Sequence, residues 1–224
     1  MKTLLAFLAL IGTLQAQPLR VLLVTGGHDH DPSFYSIFDG DPSFRTNIRP
    51  HPSAFGTDFR RNTDVLVLYD MVKTGLPETK RAHLREYLES GKGLVILHHA
   101  ICSNTDWKWW IEEVAGGVYP ESATFKHDET MPIRVKKQHP VTAGIPDFTI
   151  HDETYKGLWI SPKVDVLLET TNPTSDGPVA WISPWPKSRV VFIQLGHGPE
   201  AHHNQNYIRL VRNAIKWVGE APKQ

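Results

Sequence analysis

The chain has 224 residues, with 24 lysines and arginines set against 24 aspartates and glutamates, so its formal net charge is zero. That balance, with no Lys/Arg block anywhere, argues against a nucleic-acid partner, which calls for a surplus of positive charge. Its 40% of hydrophobic residues allow a real core, and its single cysteine excludes both a disulfide framework and a Cys-rich zinc or iron–sulfur site; twelve histidines stand out beside it.

Met1-Lys2-Thr3, the apolar run Leu4 to Leu14 and Gln15-Ala16 read as a secretory signal peptide cleaved after Ala16. The run is too short for a membrane span, which needs about 20 apolar residues. The reading predicts a periplasmic or secreted protein, with residues 17–224 as a single domain and no membrane span once the leader is gone. Leu19–Thr25 is a nearly continuous apolar run stopped by Gly26-Gly27, the pattern of a strand buried on both faces. Asp64–Asp70 repeats it. Pro77–Ser90 reads as a helix closed by Gly91, and Gly93–His98 as a third buried strand. Trp107–Val114 predicts a short helix ended by Gly116-Gly117. From Ser122 to Trp185 prolines punctuate short strands at Met131–Lys136, Val164–Thr170 and Val179–Ser183, an antiparallel extension of the same domain. Arg189–Leu195 is a further buried strand, and Asn206–Val218 an amphipathic helix. The alternation predicts an α/β doubly wound, mainly parallel sheet with helices on both faces and an antiparallel insertion.

Parallel strands share one C-terminal edge, where ligands bind. Past the strand ends lie Gly26-Gly27-His28, Asp70, His98-His99 and Gly196-His197-Gly198, so separate strands deliver imidazole or carboxylate to one rim. His197 between two glycines is the sharpest candidate. Alternation sends His98 and His99 to opposite faces, so one of them reaches the rim. Glu153 is placed in a loop beside Tyr155, while His51 and His139 are read as structural and His202-His203 as a solvated helix start. Trp107 and Trp185 are the expected sugar platforms, with Trp109 and Trp110 packing inward.

Gly26-Gly27-His28, Gly93-Leu-Val-Ile-Leu-His98-His99, Asp152-Glu153-Thr154-Tyr155, and Gly196-His197-Gly198 before a helix ending Asn213-Ala-Ile-Lys-Trp217 resemble the ThuA-like (trehalose utilisation) family. The resemblance runs from about Leu19 to Gly219. It implies a flavodoxin-like fold of the class I glutamine amidotransferase-like superfamily and a role in carbohydrate utilisation, on sugars or keto-sugar derivatives. Phe192–Glu200 is similar to that superfamily's His–Pro–Glu segment, but the nucleophile turn reads His98-His99-Ala100. Cys102 lies beyond it, so a Cys-dependent glutaminase is not expected.

Two chemistries suit such a rim. His28, His98, His127, Glu153 and His197 are candidate ligands for a zinc-like divalent metal. Alternatively His98, His197 and Glu153 are acid–base groups working without metal on a sugar held by His28, Asp70, Trp107 and Tyr155. No nucleotide cofactor is expected, and the partner is a small-molecule sugar; assembly into an oligomer stays open. The leading expectation is an exported carbohydrate-active hydrolase or lyase/isomerase, its rival a non-catalytic periplasmic sugar- or metal-binding module.

Overall fold

The computed structural model describes residues 17–220; the leader expected over residues 1–16 lies outside them. In chain order the strands are β1 (Leu19–Gly26), β2 (Phe44–Pro50), β3 (Val65–Asp70), β4 (Gly93–Leu97), β5 (Gly117–Val118), β6 (Thr124–Val135), β7 (Phe148–Lys156), β8 (Trp159–Ile160), β9 (Asp165–Thr170), β10 (Pro178–Ile182) and β11 (Val190–Ile193). The α-helices are α1 (Glu78–Glu89), the short α2 (Pro199–His202) and α3 (Gln205–Gly219). Nine strands form one sheet in the order β2-β1-β3-β4-β11-β10-β9-β6-β7. The first five are parallel and the remaining four antiparallel. The parallel portion follows the flavodoxin-like order, in which a ligand crevice opens at the carboxyl ends of the strands.

The apolar runs of β1, β3, β4 and β11 are explained by burial on both faces. Leu22, Val24, Leu66, Leu68, Leu94 and Ile96 pack on one side with Leu84, Tyr87 and Leu88 of α1. Val21, Leu23, Val65, Val67, Val95 and Leu97 pack on the other with Leu210, Val211 and Ile215 of α3. The side chain of Asn204 caps α3 by accepting from the N–H groups of Asn206 and Tyr207. The helix expected at Trp107–Val114 is realised as a π-helical turn over Trp110–Ala115, stopped by Gly116 in left-handed backbone at φ 66°.

Two strands of the nine-stranded sheet escaped the sequence pattern, as did the short pair β5 and β8. β2 is an edge strand that buries only Phe44, so it lacks an apolar run. β7 holds Asp152 and Glu153, which therefore sit in a strand rather than in the expected loop. β6 begins at Thr124, ahead of the predicted Met131, and pairs antiparallel with β7 along its length. A register shift between Lys126 and Glu129, with Asp128 at φ 57°, marks a bulge at His127. His127 and His151 accordingly lie within strands.

Candidate functional site at the strand-end rim

β4 ends at Leu97 and the chain turns sharply. His98 takes a left-handed conformation, φ 48°, and opens a 3-10 turn over His98–Cys102. This is the elbow position between strand and helical turn, and an imidazole occupies it. The turn breaks the two-residue alternation expected of His98 and His99, and both side chains are buried at the rim with ring centroids 5.2 Å apart. His99 stacks on His28 at 5.0 Å and lies 4.3 Å from Tyr69.

His98 Nδ1–H donates to the Gln194 carbonyl at 2.5 Å, which fixes the tautomer and leaves Nε2 facing inward. There it meets His197 Nδ1 at 3.1 Å, the Tyr155 hydroxyl at 3.0 Å and Glu153 Oε1 at 3.6 Å. Glu153 Oε2 lies 3.5 Å from His197 Nδ1 and 2.7 Å from His127 Nδ1. His98, Glu153 and His197 thus offer three ligand atoms within 4.8 Å of one another. His127 closes the group from the solvent side. Asp152, Glu153 and Tyr155 of the edge strand β7 reach residues that follow β4 and β11, and so an edge strand contributes to the centre of the rim.

The loop carrying His197 is gripped from several directions. Gly196 N–H and His197 N–H donate to the two oxygens of Asp152 at 2.7 and 2.9 Å. The Gly196 carbonyl accepts from the Tyr69 hydroxyl at 2.7 Å and from His202 Nε2–H at 3.1 Å. His202 Nδ1 in turn accepts from the Ser33 hydroxyl at 2.8 Å. His202 is therefore a buried anchor, a correction to the solvated helix start expected there. Neither this anchor nor Asp152, Gln194 and Tyr69 was assigned a role from the sequence. The only sequence signal for Asp152 was its place in the Asp-Glu-Thr-Tyr motif.

Burial sets the electrostatics. It lowers the pKa of His98, His99 (to about 3), His197 and His202, so these imidazoles are neutral at physiological pH. It pushes Glu153 up to about 7 and Asp152 to about 6, the latter against the pull of its backbone N–H donors. A carboxylate buried among neutral imidazoles is a place where a cation is stabilised. The Cys102 thiol is buried and pushed up to about 12, away from thiolate chemistry.

Other candidates fall outside the group. Asp70 is 1% exposed and its Oδ2 lies 2.7 Å from His51 Nδ1, so it is occupied beneath the rim. His28 is exposed, in edge contact with His197 at 6.3 Å, and is not among the three converging ligands. Trp107 is 7% exposed and packs against Trp109, Trp110 and the Arg81 guanidinium, so it offers no free ring face. Trp185 follows β10, whose Ile182 pairs with Val191 near the start of β11, placing it at the opposite edge of the sheet. Tyr155 is in the group, stacked on His98 at 5.1 Å. His51 and His139 are held in structural contacts, His139 capping a turn at Pro140–Thr142.

The fold is shared with solved structures. A protein assigned as ThuA-like from Parabacteroides merdae ATCC 43184 superposes with a TM-score of 0.79 at 18% identity, over 91% of this chain and 90% of that one. Another, from Bacteroides uniformis ATCC 8492, gives 0.65 at 22% identity over 94% and 95%. A GMP synthase-like protein from Thermoplasma acidophilum gives 0.55 at 15% identity over 90% and 94%. At these identities the likeness is one of fold, that of the class I glutamine amidotransferases. No curated protein matches the chain. Residues 20–218 match the family model ThuA, described as trehalose utilisation, and on that match the chain belongs to the ThuA family.

Proposed function

We propose that this chain is an exported, metal-dependent enzyme, a hydrolase or lyase, acting on a glycoside or its keto derivative at His98, Glu153 and His197. The observation that carries the reading is the convergence of two imidazole nitrogens and a carboxylate within 4.8 Å. A tetrahedral zinc-like ion with bonds of about 2.0–2.2 Å needs ligand atoms roughly 3.3–3.5 Å apart. The two imidazole nitrogens lie 3.1 Å apart, and Glu153 approaches each with a different oxygen, Oε1 at 3.6 Å from His98 and Oε2 at 3.5 Å from His197, so the carboxylate can close on an ion with either one. Three protein ligands leave a position open to a sugar oxygen or a water, the arrangement of a catalytic metal. The Gln194 carbonyl on His98 Nδ1–H is the outer-shell support that ligating histidines carry.

When bound, such an ion polarises a carbonyl or acidifies a water. The chain's own residues do the rest. His98 and His197, neutral by burial, present lone pairs, and the Asp152 grip on the Gly196-His197 backbone fixes the position of the second. His127, half exposed and in contact with Glu153, stands where a proton can pass between a sugar hydroxyl and solvent. The family description supports a sugar as substrate, and the sequence of residues 1–16 supports export.

The test begins with the full chain expressed in a Gram-negative host. The periplasmic fraction is expected to yield a protein starting at Gln17 by mass spectrometry. That protein is expected to release product from disaccharides or their 3-keto forms. Chelation, or His98→Ala, should lower turnover on the order of 100-fold, with metal restoring only the wild type. Sugar binding without turnover under every metal condition would make the chain a binding module and contradict the proposal.

A further inference from the structure

With Trp107 buried and Trp185 at the far edge, the aromatic surface that a sugar ring would use must be sought elsewhere. Phe125 is 57% exposed, and its ring lies 5.0 Å from that of His127. Phe125 and His127, two residues apart in β6, have their rings in contact on one side of the ribbon, and Ala123 immediately precedes the strand. Phe125 pairs in register with Tyr155, whose hydroxyl reaches His98 Nε2 at 3.0 Å. Ala123 lines a cavity of about 760 Å³ together with Lys73, Cys102, Thr105, Tyr119 and Glu121. Cys102 closes the turn that His98 opens, and the Tyr119 ring meets Tyr155 edge-on at 5.2 Å. Cavity lining, exposed ring and imidazole–carboxylate group are therefore joined by direct contacts through Tyr155 and His127.

We propose that Phe125 and this cavity form the sugar-binding subsite of the rim, and that the ligand is a neutral disaccharide. One ring lies on Phe125, its reacting carbon toward His127 and Glu153, and the second enters the cavity. The volume falls within the roughly 300–1,000 Å³ of small-molecule sites and exceeds what a single sugar ring fills. Lys73 and Glu121 cancel in charge, so the lining has no surplus to select a phosphate or an acid sugar. Amine, carboxylate and the Thr105 hydroxyl supply hydrogen-bonding groups for sugar hydroxyls, while Phe125 and Tyr119 supply faces for the apolar side of a ring. The proposal rests on the sugar reading above.

Calorimetric titration of the mature protein with α,α-trehalose, sucrose, cellobiose, glucose and glucose 6-phosphate tests it. A disaccharide is expected to bind the wild type more tightly than either glucose or its phosphate. Phe125→Ala should weaken that disaccharide about tenfold with metal content unchanged, and Phe125→Trp should restore it. Thr105→Trp, which intrudes on the cavity, should weaken the disaccharide more than glucose. Undiminished disaccharide binding by Phe125→Ala would overturn the subsite and leave the sugar reading standing. Tighter binding of glucose 6-phosphate would overturn the neutral ligand. Failure of the wild type to bind any of these sugars would overturn subsite and sugar reading together.

Discussion

His98 and Gly196 share left-handed backbone, at φ 48° and 115°, and these two residues bring imidazoles from separate strands into contact. For His98, a non-glycine residue, this conformation costs on the order of 1–3 kcal/mol, a strain typical of functional turns. For Gly196 the constraint is also spatial, because an added Cβ would lie 2.0 Å from the Tyr207 hydroxyl. Gly196→Ala is therefore expected to lose about 2–4 kcal/mol, combining strained backbone with overpacking. Gly198→Ala is the control, since its Cβ would meet only the Glu200 carboxylate, at 3.8 Å. Urea denaturation of the two variants decides the matter: Gly196→Ala should unfold well before Gly198→Ala, and coincident transitions would refute the account of the turn.

The β6–β7 ribbon and the α2 turn show how elements outside the parallel core complete the site. Glu153 and Tyr155 lie on one side of β7 and meet His98, while Asp152 on the other side receives the Gly196 and His197 amides. Burial of both sides at the rim hides the alternation by which a strand is recognised in sequence, so this stretch read as a loop. The α2 anchor has a pH signature. Burial lowers the folded pKa of His202 below the unfolded value of about 6.5. Between these two values the unfolded chain binds the extra proton, so His202 costs stability as pH falls below about 6.5 and is neutral in effect above it. His98, His99 and His197 act in the same direction. Asp152 and Glu153, raised to about 6 and about 7, act oppositely, losing stability as pH rises toward those values. The comparison of wild type with His202→Gln isolates one group, because glutamine keeps an N–H for the Gly196 carbonyl. The variant is expected to lose less stability than wild type between pH 6.5 and about 4.5 in thermal denaturation; equal losses would show that His202 titrates alike in both states.

At the scale of the whole molecule, the parallel core was legible because β1, β3, β4 and β11 are buried on both faces and their apolar runs are cut by a glycine, an aspartate or a polar residue such as histidine. The rim was legible too, since parallel strands must share an edge: His98 and His197, far apart in sequence, do meet there. What the sequence left hidden depends on side chains reaching across elements. Asp70 spends its carboxylate on His51, His202 turns inward to the Gly196 carbonyl, and Trp107 disappears beneath two arginines. No local pattern encodes such pairings. The central claim is that His98, Glu153 and His197 hold one divalent ion, and anomalous X-ray diffraction at the zinc edge from crystals grown with zinc tests it most directly. The account predicts a single strong peak about 2.0–2.2 Å from His98 Nε2, His197 Nδ1 and a Glu153 oxygen; a peak only at other residues, or none at this rim, would contradict it.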